Sequence, residues 1–291
     1  MPRPSTFSIV AHDPAASAWG VAVASKFPAV GAVVPWARTG AGAVATQSEA
    51  NTAFGPEGLE RMSRGESAEL ALHALLADDA GRAMRQVGMV DAAGLAATFT
   101  GGGCFTWAGG RVGRGYAVQG NLLAGPQVVE QMALAFEQTE GELPARLMTA
   151  LLAADRAGGD RRGRQSAALL VVKPGGGYGG HNDRWIDYRV DDHPDPVPRL
   201  AELLELHALY FGHSPPADQL RLEGATLLAL KRMMRKQGTY DGAADDEYDD
   251  ATQAALRHFI GNENFEERTN LTERTIDRPV FEFLLRRYPL A

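Results

Sequence analysis

Val21-Ala22-Val23-Ala24 and Ala167-Ala168-Leu169-Leu170-Val171 are the stretches on which the fold turns. Small and apolar residues stand at odd and even positions alike, so strands made of them bury both faces. A sheet buried on both sides needs a cover on each. Working outward, Thr6 to Ala11 reads as a preceding strand, with a turn at Asp13-Pro14 before Trp19 to Ala24. Ala32 to Trp36 and Gly42 to Thr46 are weaker strands. Helical rhythm then covers Glu57 to Met62 and Ser67 to Leu76. Arg85 to Val90 and Leu95 to Phe99 form a hairpin about Asp91-Ala92-Ala93-Gly94. After a strand at Tyr116 to Gln119 come two helices, Pro126 to Gln138 and one opened by Pro144 and running to Ala154. Ser166 to Lys173 and Trp185 to Val190 are the last strands of this part.

The order is strands, helices, strands, helices, strands. It lacks the regular alternation of a doubly wound parallel sheet. Two stacked sheets, each covered outside by a helix pair, satisfy it: an α+β, four-layer αββα sandwich. The proline-rich segment Asp191 to Pro198 interrupts regular structure. A helix from Arg199 to Tyr210 follows, and Gly212-His213-Ser214-Pro215-Pro216 breaks the chain again. Of 33 glycines, 29 precede Pro215. The division predicted is a main domain over residues 1–210 and a small all-α C-terminal domain over 217–291.

Composition narrows the function classes. The chain has 291 residues, 45% hydrophobic and 22% charged, with a net charge of −7. The acidic balance and the absence of a basic run argue against nucleic acid as a partner. No apolar stretch approaches the ~20 residues that span a bilayer, so no membrane contact is expected. The first residues lack the apolar core of a signal peptide, which points to the cytoplasm. Cys104 is the single cysteine; it excludes an internal disulfide and reads as a small buried apolar residue rather than a reactive thiol.

Local motifs are weak. Gly175-Gly-Gly-Tyr-Gly-Gly180 and Gly125-Pro-Gln-Val128 lack the lysine and hydroxyl of a phosphate loop. The seven histidines show no ligand spacing. Asp241 to Asp250 lacks the spacing of a calcium loop. Neither a metal nor another cofactor is expected.

A dispersed polar set is more informative. Thr6 opens the first strand, Lys26 follows the second, and Gln47-Ser48 ends the fourth with Asn51 just beyond. Asn121 lies between a strand and a helix, and Asp160-Arg161-Arg162-Gly163-Arg164 precedes a buried strand. Strand ends hold polar groups rigidly while exposing them together. Each also has a plain structural reading: a strand threonine, a solvated lysine, a helix-capping asparagine, an ion-pair network around Asp160.

The runs Ser5-Thr-Phe-Ser-Ile-Val-Ala-His-Asp13, Trp19-Gly-Val-Ala-Val-Ala-Ser-Lys-Phe27, Ala29 to Arg38 and Gly42-Ala-Val-Ala-Thr-Gln47 closely resemble the bacterial domain-of-unknown-function 1028 family. The resemblance continues through Val118-Gln-Gly-Asn-Leu-Leu123, Gly158 to Ala168 and Val190-Asp-Asp-His-Pro-Asp-Pro196, covering roughly residues 5 to 210. That family is similar to the N-terminal nucleophile hydrolases, the superfamily of the proteasome β subunit. The resemblance implies the αββα fold and hydrolysis of an amide C–N bond in a small molecule.

In such hydrolases the first residue of the processed chain is the nucleophile, and its own α-amine is the general base. Carried onto this sequence, Thr6 is the nucleophile, with Ser5 as fallback. Lys26 tunes the local charge, Asn121 stabilises the oxyanion and Asp160 orients the amine. Gln47, Ser48 and Asn51 line the substrate, and Arg38, Arg161 and Arg164 hold a substrate carboxylate. Thr6 gains a free amine only by cleavage after Ser5; the alternative is a non-catalytic ligand- or glycan-binding protein on a hydrolase-like scaffold. A homo-oligomer is expected.

Gln237-Gly-Thr-Tyr-Asp-Gly242, Tyr248-Asp-Asp-Ala-Thr252 and Ala255-Leu-Arg-His-Phe259 resemble peptidoglycan-binding-like helical modules. This resemblance implies a glycan contact through Tyr240, Asp241 and Tyr248.

Overall fold

The computed structural model describes residues 6–290 and divides into two compact units, residues 1–204 and 205–291. The first unit opens with β1 (Thr6–Asp13) and β2 (Ala18–Ser25), an antiparallel hairpin. Its turn is held by Asp13 Oδ1, which accepts from the Ala15 and Ala16 N–H groups at 3.0 and 3.4 Å. β2 is buried at every position. β3 (Pro35–Arg38) begins later than expected, because Val30–Ala32 forms a 3-10 turn behind Ala29, whose φ is 51°. β4 (Gly42–Ser48), α1 (Phe54–Ser63) and α2 (Ala68–Ala77) follow. The Ser67 side chain caps α2 by accepting from the Leu70 N–H.

β5 (Arg85–Asp91) and β6 (Ala96–Thr100) pair as the expected hairpin. Buried Asp91 fixes that turn through Oδ1, which accepts from Ala93 and Leu95, and its Oδ2 accepts from the Ala68 N–H at the start of α2. β7 (Gly109–Gly113) was not legible as a strand: it is short, glycine-rich and exposed on a sheet edge. β8 (Tyr116–Asn121), α3 (Gln127–Gln138), α4 (Leu143–Arg156), β9 (Ser166–Val172) and β10 (Arg184–Val190) complete the frame.

Two antiparallel sheets result, one ordered β10-β9-β2-β1-β8-β7 and the other β3-β4-β5-β6. Val10, Val21 and Val23 of the first meet Ala43, Ala45 and Val90 of the second in one apolar cluster. The outer face of the first sheet carries Phe7, Ile9 and Ala11, packed with Met132, Phe136, Leu147 and Leu151 of α3 and α4. On the second sheet, Val44, Val87 and Met89 pack with Leu59, Met62, Leu72 and Leu75 of α1 and α2. The molecule is thus a mixed α/β protein whose sheets face each other and carry helices on their other faces.

α5 (Pro196–Phe211) starts at Pro196 rather than after the prolines. Proline suits a first helical turn, where an N–H would lack an intrahelical partner. Val197 and Leu200 enter the first unit's core, whereas Leu209 and Tyr210 pack in the second unit's. That second unit is helical, with α6 (Gly224–Lys236), α7 (Asp250–Asn262) and α8 (Arg278–Arg287). The all-helical expectation needs correction, because β11 (Gln219–Arg221), β12 (Thr269–Asn270) and β13 (Thr275–Asp277) form a small sheet ordered β11-β13-β12. Strands of two or three residues carry no readable alternation. Among the described residues no helix is long and apolar enough to cross a membrane.

Candidate functional site

Strand register gathers one row of polar residues. Thr6 stands opposite Ser25 on β2 and Asn121 on β8, and Ser25 stands opposite Ser166 on β9. Directly opposed residues share a sheet face, so Ser166, Ser25, Thr6 and Asn121 line up across four strands. Alternation turns Thr6, Ser8 and Val10 toward the second sheet and Phe7 toward the helices. Thr6 is 1% exposed and Asn121 0%. The Thr6 hydroxyl donates to Ser25 Oγ at 3.2 Å. It therefore faces neither hydrocarbon nor an open cleft, but a sealed polar neighbourhood.

The second sheet answers this row with amides. Gln47 and Gln86 are opposed residues on β4 and β5. Gln47 Nε2 donates to Gln86 Oε1 at 2.9 Å and to the Thr6 carbonyl at 3.3 Å. Asn121 Nδ2 donates to the same Gln86 Oε1 at 2.8 Å. Gln86 Nε2 in turn donates to the Gly120 carbonyl at 2.7 Å and to Thr100 Oγ1 at 2.9 Å. Ser8 Oγ donates to Gln47 Oε1 and accepts from Gln119 Nε2, both at 2.7 Å. Buried amides persist only when so paired, and the pairing fixes their orientation. Gly88 leaves the needed room: a Cβ there would lie 2.1 Å from Gln119 Oε1.

The remaining predicted residues divide. Asp160 is buried and adjoins the row through backbone: its Oδ2 accepts from the Lys26 N–H at 2.7 Å. Arg162 donates to both of its oxygens. Lys26 itself is exposed at the end of β2. Ser48 follows Gln47 in a left-handed conformation, φ 68°. Asn51 serves the turn before α1, with Oδ1 accepting from the Ala53 N–H at 3.2 Å. Arg38 is not brought to the site. It pairs in register with Gly42, at the other end of β4 from Gln47, about 17 Å away at the usual rise per residue. There it donates to the Leu59 carbonyl at 2.6 Å and pairs with Glu60. Arg161 is exposed, and its backbone N–H donates to the Leu122 carbonyl. Arg164 bridges Asp155 at 2.8 Å and Asp195 at 3.0 Å. Ser5 and the Ser5–Thr6 bond lie outside the described residues.

Sequence reasoning missed Ser8, Ser25, Gln86, Gln119 and Ser166. The available signal was glutamine inside otherwise apolar strands, a residue type with four hydrogen-bonding needs where none is expected. Cys104 lies close by, its thiol donating to the Arg85 carbonyl at 3.3 Å. Burial pushes its pKa up, with a Ser48 hydrogen bond acting against the shift, so the thiol stays protonated near neutrality. Among the described residues no group of three or more His, Cys, Asp or Glu is arranged to hold a metal.

On the helix side of the row lies a cleft of about 460 Å³. Phe7, Ser25, Asp155, Arg156, Asp160 and Arg164 contribute to its walls. In the second unit, Tyr240 and Asp241 line a separate cavity of about 490 Å³. Tyr248 is engaged elsewhere, donating to the Leu271 carbonyl at 3.0 Å under the Arg274 guanidinium.

These features define a class: a mixed α/β protein of facing antiparallel sheets, with a buried hydroxyl-and-amide cluster where the strand ends meet. The chain belongs to the family of unknown function DUF1028, whose model matches residues 6–200. Residues 210–284 match the model of a putative peptidoglycan binding domain. Among solved structures, protein SPO2555 from Silicibacter pomeroyi, of the same DUF1028 family, is 33% identical over 74% of this chain and 89% of that one, with a TM-score of 0.65. A search of curated proteins gave no match.

Proposed function

We propose that the first unit is an αββα amidohydrolase of the N-terminal-nucleophile kind, with Thr6 as the attacking residue. The observation that carries this reading is the place of Thr6: at the start of β1, opposed by Ser25 and Asn121, with its carbonyl held by Gln47. In the chain as written the Thr6 nitrogen is a peptide nitrogen. Cutting the Ser5–Thr6 bond would free it as an amine, able to take the hydroxyl proton as Oγ1 attacks the substrate carbonyl carbon. The C–N bond then breaks, the leaving amine takes that proton, and water hydrolyses the threonyl ester. Asn121 supplies an amide donor for the oxyanion, and Gln47, whose amide donates to Gln86 and to the Thr6 carbonyl, holds the strand end in place. Asp160 positions the end of β2, and with it Ser25, by accepting from Lys26. The second unit would bring this centre to a glycan-bearing partner.

Intact mass and a threonine-directed electrophile such as a β-lactone test the reading. The expected result is a mature chain beginning at Thr6, labelled at that residue and unlabelled as Thr6→Ala. A chain keeping residues before Thr6 and taking no label would remove Thr6 from the chemistry. Two observations favour a second reading, a non-catalytic binding protein: the Thr6 hydroxyl is buried, and both Asp160 oxygens are engaged. Saturable binding of peptidoglycan fragments by an uncleaved, unlabelled chain would support it.

A further inference from the structure

We propose that the cleft beside β1 takes a small molecule bearing a carboxylate on an apolar body, and that Arg156 holds the carboxylate. The other charged side chains that line the cleft are already paired. Asp155 is paired with Arg164 at 2.8 Å, and Asp160 with Arg162 at 2.9 Å. Arg164 is engaged a second time by Asp195 at 3.0 Å. Arg156, exposed in the last turn of α4, has no ion-pair partner among the described residues. Of the two arginines that line the cleft it is the one outside an ion pair, so a ligand anion engages it without displacing an existing pair. A guanidinium meets a carboxylate with two parallel hydrogen bonds.

The rest of the cavity suits an apolar body. Phe7, Pro194, Pro196 and Val197 contribute walls, and about 460 Å³ lies within the range of small-molecule sites. The C-terminal end of α4 would oppose an anion if its carbonyls were bare. They are not: the Ala157, Gly158 and Gly159 N–H groups donate to the Ala153, Asp155 and Ala154 carbonyls at 3.0 to 3.1 Å. Of the three residues expected to hold a substrate carboxylate, Arg161 is exposed and is not among the residues that line the cleft. Arg38 sits at the far end of its strand and Arg164 is doubly paired, whereas Arg156 is uncommitted.

The cleft reaches the reacting row through Ser25, the hydrogen-bond partner of Thr6. Calling the ligand a substrate rests on the hydrolase reading; its binding does not. The test is accordingly made on the full-length Thr6→Ala protein, by calorimetric titration with N-acetyl-leucine and with the matching uncharged N-acetyl-leucinamide. The acid is expected to bind at least tenfold more tightly than the amide. Arg156→Ala should remove that preference and Arg156→Lys should keep part of it. Arg114→Ala, which removes an equal charge from the exposed β7–β8 turn, should keep all of it. Arg156→Gln is the second neutral variant, and thermal melts establish that each variant is folded. Equal binding of acid and amide, an acid preference surviving loss of the Arg156 charge, or no binding of either probe at millimolar concentration would each overturn the proposal. Failure of Thr6 labelling would leave this result intact, so the two readings fall separately.

Discussion

Thr6 and Asn121 are directly opposed on β1 and β8, and the amide of Asn121 is aimed by Gln86, which reaches across from the other sheet. One carbonyl oxygen, Gln86 Oε1, accepts from both Asn121 and Gln47. The geometry of the candidate centre therefore depends on a residue that makes no contact with Thr6 in this network.

Gln86→Leu is predicted to be costly for that reason. It strips two buried amides of their acceptor and leaves the Gly120 carbonyl without its donor, so a loss of about 2–5 kcal/mol is expected. Urea unfolding of the first unit measures it. A loss under about 1 kcal/mol would mean the network re-forms without Gln86.

Asp160→Ala should destabilise the joint between β2 and the Gly158–Arg164 loop, by about 2–4 kcal/mol, because the Lys26 N–H and the Arg162 guanidinium lose their acceptor together. Asp160→Asn keeps an oxygen for Lys26 and should recover about half. Equal losses for the two variants, read from the same urea curves, would show that the backbone contact contributes nothing.

In the second unit, Arg268 and Asp277 form a buried ion pair at 2.7 Å, with side chains 3% and 7% exposed. Arg268 also donates to the Ala208 carbonyl and to Ser214 Oγ. Arg268→Ala leaves a carboxylate buried alone and should cost about 3–5 kcal/mol, whereas Arg268→Met with Asp277→Leu should cost clearly less. Hydrogen exchange of the α8 amides reports both; a double variant as damaged as the single one would contradict the electrostatic account.

The acidic loop of that unit gives a pH prediction. Lys231 is 1% exposed and donates to Asp245 Oδ1 at 2.7 Å and to the Glu247 carbonyl at 2.6 Å. The hydrogen bond from Lys231 holds the Asp245 carboxyl below its ordinary pKa. A depressed carboxyl adds stability above its unfolded pKa of about 3.9, and that stability is lost as pH falls through the folded value. The protection factors of the α6 and α7 amides, which correct for the pH dependence of intrinsic exchange, should therefore fall on acidification below about pH 4. Lys231→Met should flatten that dependence; an unchanged profile would separate Asp245 from it.

The double cover of the first sheet was legible because Val21 to Ala24 of β2 and Ala167 to Val171 of β9 are apolar at consecutive positions, which only doubly covered strands tolerate. Pro144 and the Asp91 turn likewise declared themselves by local chemistry. Register did not. Nothing local says that Ser25 and Asn121 flank Thr6, because pairing is decided by the whole ladder. Charge partners were equally hidden: Arg38 and Arg164 look alike in sequence to Arg156, and only folding engages the first two.

The aligned row of Ser166, Ser25, Thr6 and Asn121 also governs which changes in chain length the first unit tolerates. Lengthening the turn at residues 14–17 alters only a surface loop. Deleting one residue inside β1 slides the strand by a single step and inverts its faces, delivering the benzyl ring of Phe7 where a hydroxyl had been. An insertion scan of this hairpin would thus trace a sharp boundary between silent and ruinous sites within a few positions of each other.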